Sequence, residues 1–395
     1  PTSPLATVMK PMSPILRPVD KRPSSGRTES TAVDEDTAKG DTRGRTFARR
    51  PRAIGEETIR RPQGDRLRPW IEIGGPMTMT SGFAALFLLV LLVLQVGSVA
   101  AVLVRLRRPP CAAPRPPETI ALIVPIAALG DDEVEVALSA ARLAGPGVEI
   151  LYCAFDENDP AVTRLRAGLA DRDTVGIRLL FGRERVTDNP KMDNVEKAVA
   201  ATTAEILVFI DGNLEVTADL FDRLFAVWDA GTGLVTSPPL GTRPGNFWAE
   251  VECAFLDTFF ARWQMVSDEL GGGYANGKLF ALRRSLFDRA GGIEALRTET
   301  AEDAAATRAV RAAGEKIRLT TRPFDHPLGA RPFAAVWNRN LRWARLRRAA
   351  YPVVFALEPC ITGIVPIAAA AVAAPSLGLS SGLAAALVGL FWYGA

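Results

Sequence analysis

Histidine is nearly missing from this chain: among 395 residues there is one, His326, and only four cysteines, Cys111, Cys153, Cys253 and Cys360. The cysteines are far apart and none is close to the histidine. That spacing fits neither a zinc cluster nor a disulfide framework, and it suits a reducing cytoplasm. Excess charge is missing too, since 47 basic and 44 acidic side chains leave a formal net charge of +3. A nucleic-acid-binding domain would normally show a clearly basic face or motif, so no nucleic-acid partner is expected. There is no internal repeat, no GxGxxG after the first strand and no Walker A lysine, which argues against a Rossmann dehydrogenase or a P-loop NTPase.

What is abundant is apolar sequence, 48% of the chain. The length allows one large soluble domain plus membrane segments, because single hydrophobic cores stop growing near about 250–300 residues. Residues 1–76 are rich in Pro, Arg, Ser, Thr and Gly and lack apolar periodicity. They read as a disordered segment or as a non-native leader, the chain starting on Pro1 while Met77 and Met79 stand just before the first apolar run. Residues 81–104 carry no charge and meet the roughly 20-residue requirement for a transmembrane helix. Arg105, Arg107 and Arg108 follow at once and place the next domain in the cytoplasm by the positive-inside rule.

After a proline-rich linker, residues 118–330 alternate short β-branched runs with helical patterns. Strands are predicted at 120–126, 148–155, 177–181, 206–210 and 234–236, and helices at 133–143, 161–169, 193–201 and 220–228. This alternation predicts an α/β domain with a mostly parallel, Rossmann-like sheet. Open α/β sheets bind ligands beyond the carboxyl ends of their strands. Asp156 and Asp211 stand at two such ends. Asp156 is a candidate base or ribose contact, whereas Asp159 before Pro160 reads as a helix cap. Asp211 before Gly212 is either turn punctuation or a carboxylate presented to a metal. With Asn213 nearby it is sufficient for a hard divalent ion that bridges phosphates.

Several runs in order resemble the ceramide glucosyltransferases, glycosyltransferase family 21, kin of the large family 2. They are Asn189-Pro190-Lys191-Met192-Asp193-Asn194, Asp211-Gly212-Asn213, Asn276-Gly277-Lys278, Asp288-Arg289-Ala290-Gly291-Gly292, Ala301-Glu302-Asp303, Arg339-x-x-Arg342-Trp343 and Leu357-Glu358-Pro359. The resemblance covers residues 120–359. The tract 249–256 with Ala261-Arg262-Trp263-Gln264 is similar to the bacterial branch. It implies a GT-A fold, a UDP-sugar donor, usually UDP-glucose, a divalent metal (Mg or Mn), and inverting transfer to the primary hydroxyl of ceramide at the cytoplasmic leaflet. It also implies that Asp156 contacts the nucleotide, that Asp211 is the metal or diphosphate aspartate, and that Asp303 is the general base. Arg339, Arg342 and Trp343 match the family's (Q/R)xxRW signature.

The chemistry asks for the same residue types. Inverting displacement needs a base on the face opposite the leaving diphosphate, and Asp303, with Glu302 beside it, can serve. Both acids could instead begin a helix, where carboxylates favour the positive dipole end. Arginines and a metal aimed at the leaving group stabilise the transition state. Arg339 and Arg342 lie three apart and share a helix face, and Trp343 beside them could pack against sugar or the membrane interface. Arg345, Arg347 and Arg348 read as an interfacial basic stripe on an amphipathic helix over 331–350. Lys191 is a candidate phosphate cation. His326, before Pro327 in a loop, is a further candidate near the acceptor. The amphipathic stretch 247–266 reads as core rather than as an acceptor channel.

Beyond the basic cluster, residues 352–373 form a transmembrane or re-entrant segment interrupted by Glu358-Pro359. Residues 380–395 begin a further transmembrane helix that reads as truncated. The expected enzyme is a multi-pass protein of a bacterial inner membrane that contacts membrane lipids. Two departures from the family pattern bear on the metal and the donor: Asp193 replaces an asparagine, and Asp211-x-Asn213 is not a strict DxD. Alternatives are a hopanoid or polyprenyl phosphate acceptor, a polysaccharide synthase, and a non-catalytic membrane scaffold.

Overall fold

The computed structural model describes residues 78–109, 118–126, 129–170, 174–182 and 186–393. The reading of residues 1–76 therefore lies outside the described residues. Nine strands are described: β1 (Ile120–Pro125), β2 (Val148–Cys153), β3 (Ile177–Leu180), β4 (Ile206–Ile210), β5 (Thr232–Thr236), β6 (Pro239–Pro244), β7 (Leu279–Arg283), β8 (Lys316–Leu319) and β9 (Phe324–Gly329). Seven form one sheet in the order β3-β2-β1-β4-β7-β5-β8, and β6 pairs with β9 in a second, two-stranded sheet.

The mostly parallel α/β reading holds: β1/β2, β1/β4, β2/β3 and β5/β8 are parallel. The exception is β7, antiparallel to both β4 and β5. Strand β4 has the predicted bounds, while β1, β2 and β3 each end one or two residues earlier than expected. The sheet is covered on both faces, so its strands read as continuous apolar runs. Side chains alternate between two cores. Ile120, Leu122, Val124, Val208 and Ile210 enter one, and Ala121, Ile123, Leu207 and Phe209 enter the other, all at most 1% exposed.

The first apolar run forms a helix, Met79–Leu106, the one helix among the described residues long and apolar enough to cross a membrane. Its last turn is tied to the α/β domain. Arg105 is buried, and its Nη1 reaches Asp268 at 2.8 Å and Glu269 at 2.6 Å, while Nη2 donates to the carbonyls of Leu319 (2.7 Å) and Thr320 (3.0 Å). Arg108 forks onto both oxygens of Glu269. Arg105→Ala would leave the buried Asp268 with only the half-exposed Arg318, at 3.3 Å, as counterion, and is expected to lower unfolding free energy by about 3 kcal/mol. Denaturant unfolding of the full chain in detergent measures this, and Arg105→Lys, which keeps the charge, should recover part of it.

The segment 352–373 is two helices, Pro352–Ile361 and Ile364–Ala373, bent by 51° at a break. Gly363 at the break has φ +94°, and a Cβ there would meet the rings of Tyr393 and Trp392 within 3 Å. Those rings belong to the helix Ser381–Tyr393, which packs back on the bend through Trp392 Nε1 donating to the Ile361 carbonyl at 3.2 Å. The amphipathic stretch after β6 is helical, Phe247–Phe255 and Arg262–Glu269, with a π-helical turn over Leu256–Ala261 between them. Its Ala249, Cys253, Leu256, Ala261 and Met265 are buried, as expected of core.

Candidate active site

The antiparallel strand β7 builds the site. Because β4 and β7 run in opposite directions, the amino end of β7 lies beside the carboxyl end of β4. Ile210 faces Leu279, and the Asp211 N–H donates to the Lys278 carbonyl at 2.9 Å. Two more elements deliver their first turns to the same edge. The helix Pro190–Ala201 is capped by the Asn189 side chain and carries Lys191; the helix Glu302–Ala312 carries Glu302 and Asp303.

Four charged side chains interlock there. Lys191 Nζ lies 2.6 Å from Asp211 Oδ1 and 2.7 Å from Glu302 Oε1, and donates to the Gly277 carbonyl at 2.5 Å. Lys278 Nζ lies 3.1 Å from Asp211 Oδ2 and donates to Asn213 Oδ1 at 2.6 Å. Burial works against the Asp211 charge, but the two ammonium groups outweigh it and hold the carboxyl well below its ordinary range. Lys191 keeps its proton more firmly than usual because Asp211 and Glu302 outweigh its burial, whereas burial and the nearby Arg339 and Lys191 push Lys278 down. Near Asn213, Glu133 accepts from the Gly130 N–H at 3.1 Å and is paired with Arg331 at 3.0 Å; these bonds keep its carboxyl below the usual value despite burial.

Gly212 lets the chain pass at close quarters. A Cβ there would stand 2.9 Å from the Pro125 carbonyl oxygen and 3.0 Å from Leu129. Gly212→Ala is therefore expected to cost about 1–3 kcal/mol, readable as a lowered urea midpoint, since backbone cannot yield as a side chain can.

Asp303 borders the loop 274–278 beside Glu302: a Cβ on Gly277 would meet Glu302 Oε1 at 2.8 Å and Asp303 Oδ2 at 3.6 Å. Its Oδ2 accepts from the Gly277 N–H (3.2 Å) and its Oδ1 from the Ala304 N–H (2.8 Å), so it also caps its own helix. Burial and the Glu302 charge push its carboxyl up to about 6. The loop is braced: Ala275 N–H donates to Thr307, Asn276 N–H to Thr236, and the Asn276 amide to Gln264. Beyond Asp303, the Tyr274 phenol is raised by burial and by the Asp303 charge, with Tyr351, Arg347 and Glu358 also acting on it.

The remaining predicted residues distribute differently. Asp156 is exposed beyond β2, its Oδ1 accepting from the Asn158 backbone (2.9 Å) and side chain (3.1 Å); no contact joins it to the lysine cluster. Asp159 caps the helix Pro160–Leu169 as expected. Asp193 is buried and accepts from Val186, Thr187 and the Thr187 hydroxyl, so it latches the preceding loop. His326 is not in a loop but in β9, fully buried, because β9 pairs with β6 as a sheet of its own. Its Nδ1 lies 2.7 Å from the Asn213 carbonyl, and burial together with the charge of Lys278 holds the ring well below its ordinary pKa.

Arg339 and Arg342 have different surroundings. Both lie on the helix Phe333–Ala350, where Arg339 binds Glu252 at 2.6 Å, while Arg342 is exposed and makes no ion pair among the described residues. Trp343 meets the edge of Phe260 with ring centroids 5.1 Å apart. Arg347 is no free member of a basic stripe: it forks onto Glu358 at 2.6 and 3.1 Å and lies over the Phe260 ring at 4.8 Å. The acid in Leu357-Glu358-Pro359 is thereby neutralised at the start of the apolar hairpin. Lys278 and Glu133 went unrecognised as site residues from sequence; the run Asn276-Gly277-Lys278 held the signal for the first, and nothing local marked the second.

An α/β domain that gathers lysines, an aspartate and a raised carboxyl at the carboxyl edge of its sheet has the makings of a GT-A-type transferase. The sequence profile described as "Glycosyl transferase family 21" matches residues 85–395, and the chain belongs to that family. It is similar to ceramide glucosyltransferase 1 of Caenorhabditis elegans, 27% identical over 225 residues, which is 54% of this chain and 47% of the relative. Ceramide glucosyltransferase 3 of the same organism is 24% identical over 219 residues, 53% and 46% of the two chains. The match thus spans about half the length of these curated relatives. Among solved structures, the mannosyltransferase PcManGT from Pyrobaculum calidifontis, in complex with GDP-Man and Mn2+, gives a TM-score of 0.46 at 16% identity, covering 79% of this chain and 85% of that one. Glucosyl-3-phosphoglycerate synthase from Mycobacterium tuberculosis, in complex with Mn2+, UDP and phosphoglyceric acid, gives 0.38 at 19% identity, covering 62% and 79%.

Proposed function

We propose that the protein is a membrane-bound inverting glycosyltransferase that moves a hexose, glucose from UDP-glucose, onto the primary hydroxyl of ceramide or a related lipid. The observation that carries this reading is the single edge at which Lys191, Asp211 and Lys278 meet the Glu302-Asp303 turn. Lys278 binds the donor diphosphate, Lys191 supplies fixed positive charge for it with Arg339 adding more nearby, and Asp156 contacts the nucleotide. Asp303 takes the proton of the acceptor hydroxyl as its oxygen forms the bond to the anomeric carbon, and the departing diphosphate leaves with the electron pair of the bond that breaks. A base with a pKa of about 6 suits this work, because it is ionised at neutral pH and still basic enough to accept the proton. Arg342 and Trp343 line the approach from the membrane side.

The donor set at Asp211 and Asn213, one carboxylate and one amide oxygen, fits a hard divalent ion that completes its shell with phosphate oxygens and water. When bound, Mg or Mn neutralises charge developing on the leaving diphosphate.

The helix Met79–Leu106 spans the bilayer. Its outward Leu86, Leu89, Val93 and Val96 are uncovered by protein, which suits lipid. Arg105, Arg107 and Arg108 keep the domain on the cytoplasmic side, the bent pair over 352–377 re-enters or crosses the membrane, and the helix Phe333–Ala350 lies at the interface. Tyr274, Tyr351 and the Arg347–Glu358 pair lead from that interface to Asp303, which suits a lipid acceptor.

The test presents membranes bearing the protein with labelled UDP-glucose, UDP-galactose, UDP-glucuronic acid and UDP-N-acetylglucosamine, each with ceramide, a hopanoid or a polyprenyl phosphate. Transfer from UDP-glucose to ceramide is expected. Transfer to another lipid alone would replace the acceptor, and no transfer from any donor would favour a membrane scaffold.

A further inference from the structure

Three positive or amide groups compete for the same oxygens at the end of β4. Lys191 has all three of its N–H donors committed, to Asp211, Glu302 and the Gly277 carbonyl. Lys278 has two partners, Asp211 Oδ2 and Asn213 Oδ1, and no third among the described residues. Those two partners are the oxygens offered to a divalent ion. Among the described residues no group of three or more His, Cys, Asp or Glu side chains could hold a metal ion. A cation at Asp211 and Asn213 therefore lacks a protein-only shell, and before any donor arrives it faces an ammonium group already seated there.

We propose that Lys278 is a donor-phosphate ligand that, in the donor-free protein, stands in for the divalent cation on Asp211 and Asn213, so that cation and nucleotide diphosphate are taken up together. The proposal rests on the nucleotide-sugar reading of the site. The diphosphate supplies what the site lacks on both counts. Its negative charge draws the less committed ammonium off Asp211, and its oxygens complete the shell of the ion that takes the vacated place. Lys191, with every donor satisfied, stays as the fixed cation of the site. Seating an ion beside both ammonium groups without phosphate would place like charges together with no compensating anion, which opposes metal binding alone. Uptake of one ligand then favours the other by the same factor, as coupling between sites requires.

Titration of the full chain in detergent with Mn2+, followed by the free-ion electron paramagnetic resonance signal with and without UDP, tests this. The wild type is expected to bind Mn2+ at least ~10-fold more tightly with UDP than without, and UDP more tightly with Mn2+ by the same factor. Lys278→Met, close in length and uncharged, should bind Mn2+ alone ~10-fold more tightly than the wild type, bind UDP more weakly, and lose most of the coupling. Lys278→Arg keeps a phosphate-binding cation and should retain UDP binding, which keeps the question open to measurement should the methionine variant not fold. Equal Mn2+ affinity with and without UDP in the wild type would overturn the proposal, as would a folded Lys278→Met protein with unchanged Mn2+ affinity. A wild type that binds no UDP at any Mn2+ concentration would overturn the nucleotide-donor reading itself.

Discussion

Asp303→Asn should lower kcat for sugar transfer by about two to four orders of magnitude, the usual weight of a positioned general base, while leaving the KM for the donor nearly unchanged. Asparagine keeps one acceptor oxygen where aspartate offers two, so it serves the Gly277 N–H or the Ala304 N–H but not both, and a modest loosening of the helix start or of the loop 274–278 accompanies the change. What is lost, on the proposed role of Asp303, is the site that receives the acceptor proton. The pH profile separates this from a structural effect. Burial and the Glu302 charge push the Asp303 carboxyl up to about 6. The wild-type rate should therefore be flat above that pH and fall about tenfold per unit below it, as the base becomes protonated. The residual activity of the asparagine variant should lack this limb. Stability moves the other way. A carboxyl whose folded pKa is raised above its unfolded value contributes stability at low pH that is lost as pH rises through the folded value. The stability difference between Asp303→Asn and wild type should then shift in the variant's favour between pH 4 and pH 8, by on the order of 2–3 kcal/mol, as thermal or denaturant unfolding at the two pH values would reveal.

Asp211→Asn should be the second severe change, cutting kcat/KM for the donor by about 10²–10³ as electrostatic organisation of the leaving-group site is lost. It also removes the counterion shared by two ammonium groups. Breaking a largely buried ion pair from one side costs about 3–5 kcal/mol. Here the wild-type carboxyl is held below its ordinary pKa, so its contribution is present above the unfolded value and lost as pH falls through the folded one. The variant should thus be clearly less stable than wild type at pH 7, and the gap should narrow on acidification. A gap that stays constant from pH 7 to the acid limit would count against the ion-pair account.

Much of this site was legible in the sequence because its acids sit where local rules place them. Asp211 follows four apolar residues and precedes glycine, which puts it at a strand end before any pairing is known. Asp303 opens an alanine-rich helix, and the helix that carries Lys191 is announced by Asn189-Pro190. Lys278 was harder: its place beside Asp211 depends on β7 running antiparallel between β4 and β5, a long-range choice that short apolar runs do not reveal. The same holds for His326, whose strand pairs outside the main sheet, and for Arg347, whose partner Glu358 lies across a helix break. Spacing along one helix suggested that Arg339 and Arg342 act together. What spacing does not reveal is the partner each meets: Glu252 on a neighbouring helix pairs with Arg339, while Arg342 is exposed.

If Asp303 is the base of an inverting transfer, the acceptor oxygen attacks the anomeric carbon from the face opposite the diphosphate, and product stereochemistry addresses this directly. UDP-glucose carries its sugar as the α-anomer, so proton nuclear magnetic resonance of the purified glycolipid formed by the full chain reports whether the new bond lies on the opposite face. A β-linked product is expected from the wild type, and too little product from Asp303→Asn to assign. An α-linked product would contradict it, since retention requires attack from the same face as the departing diphosphate.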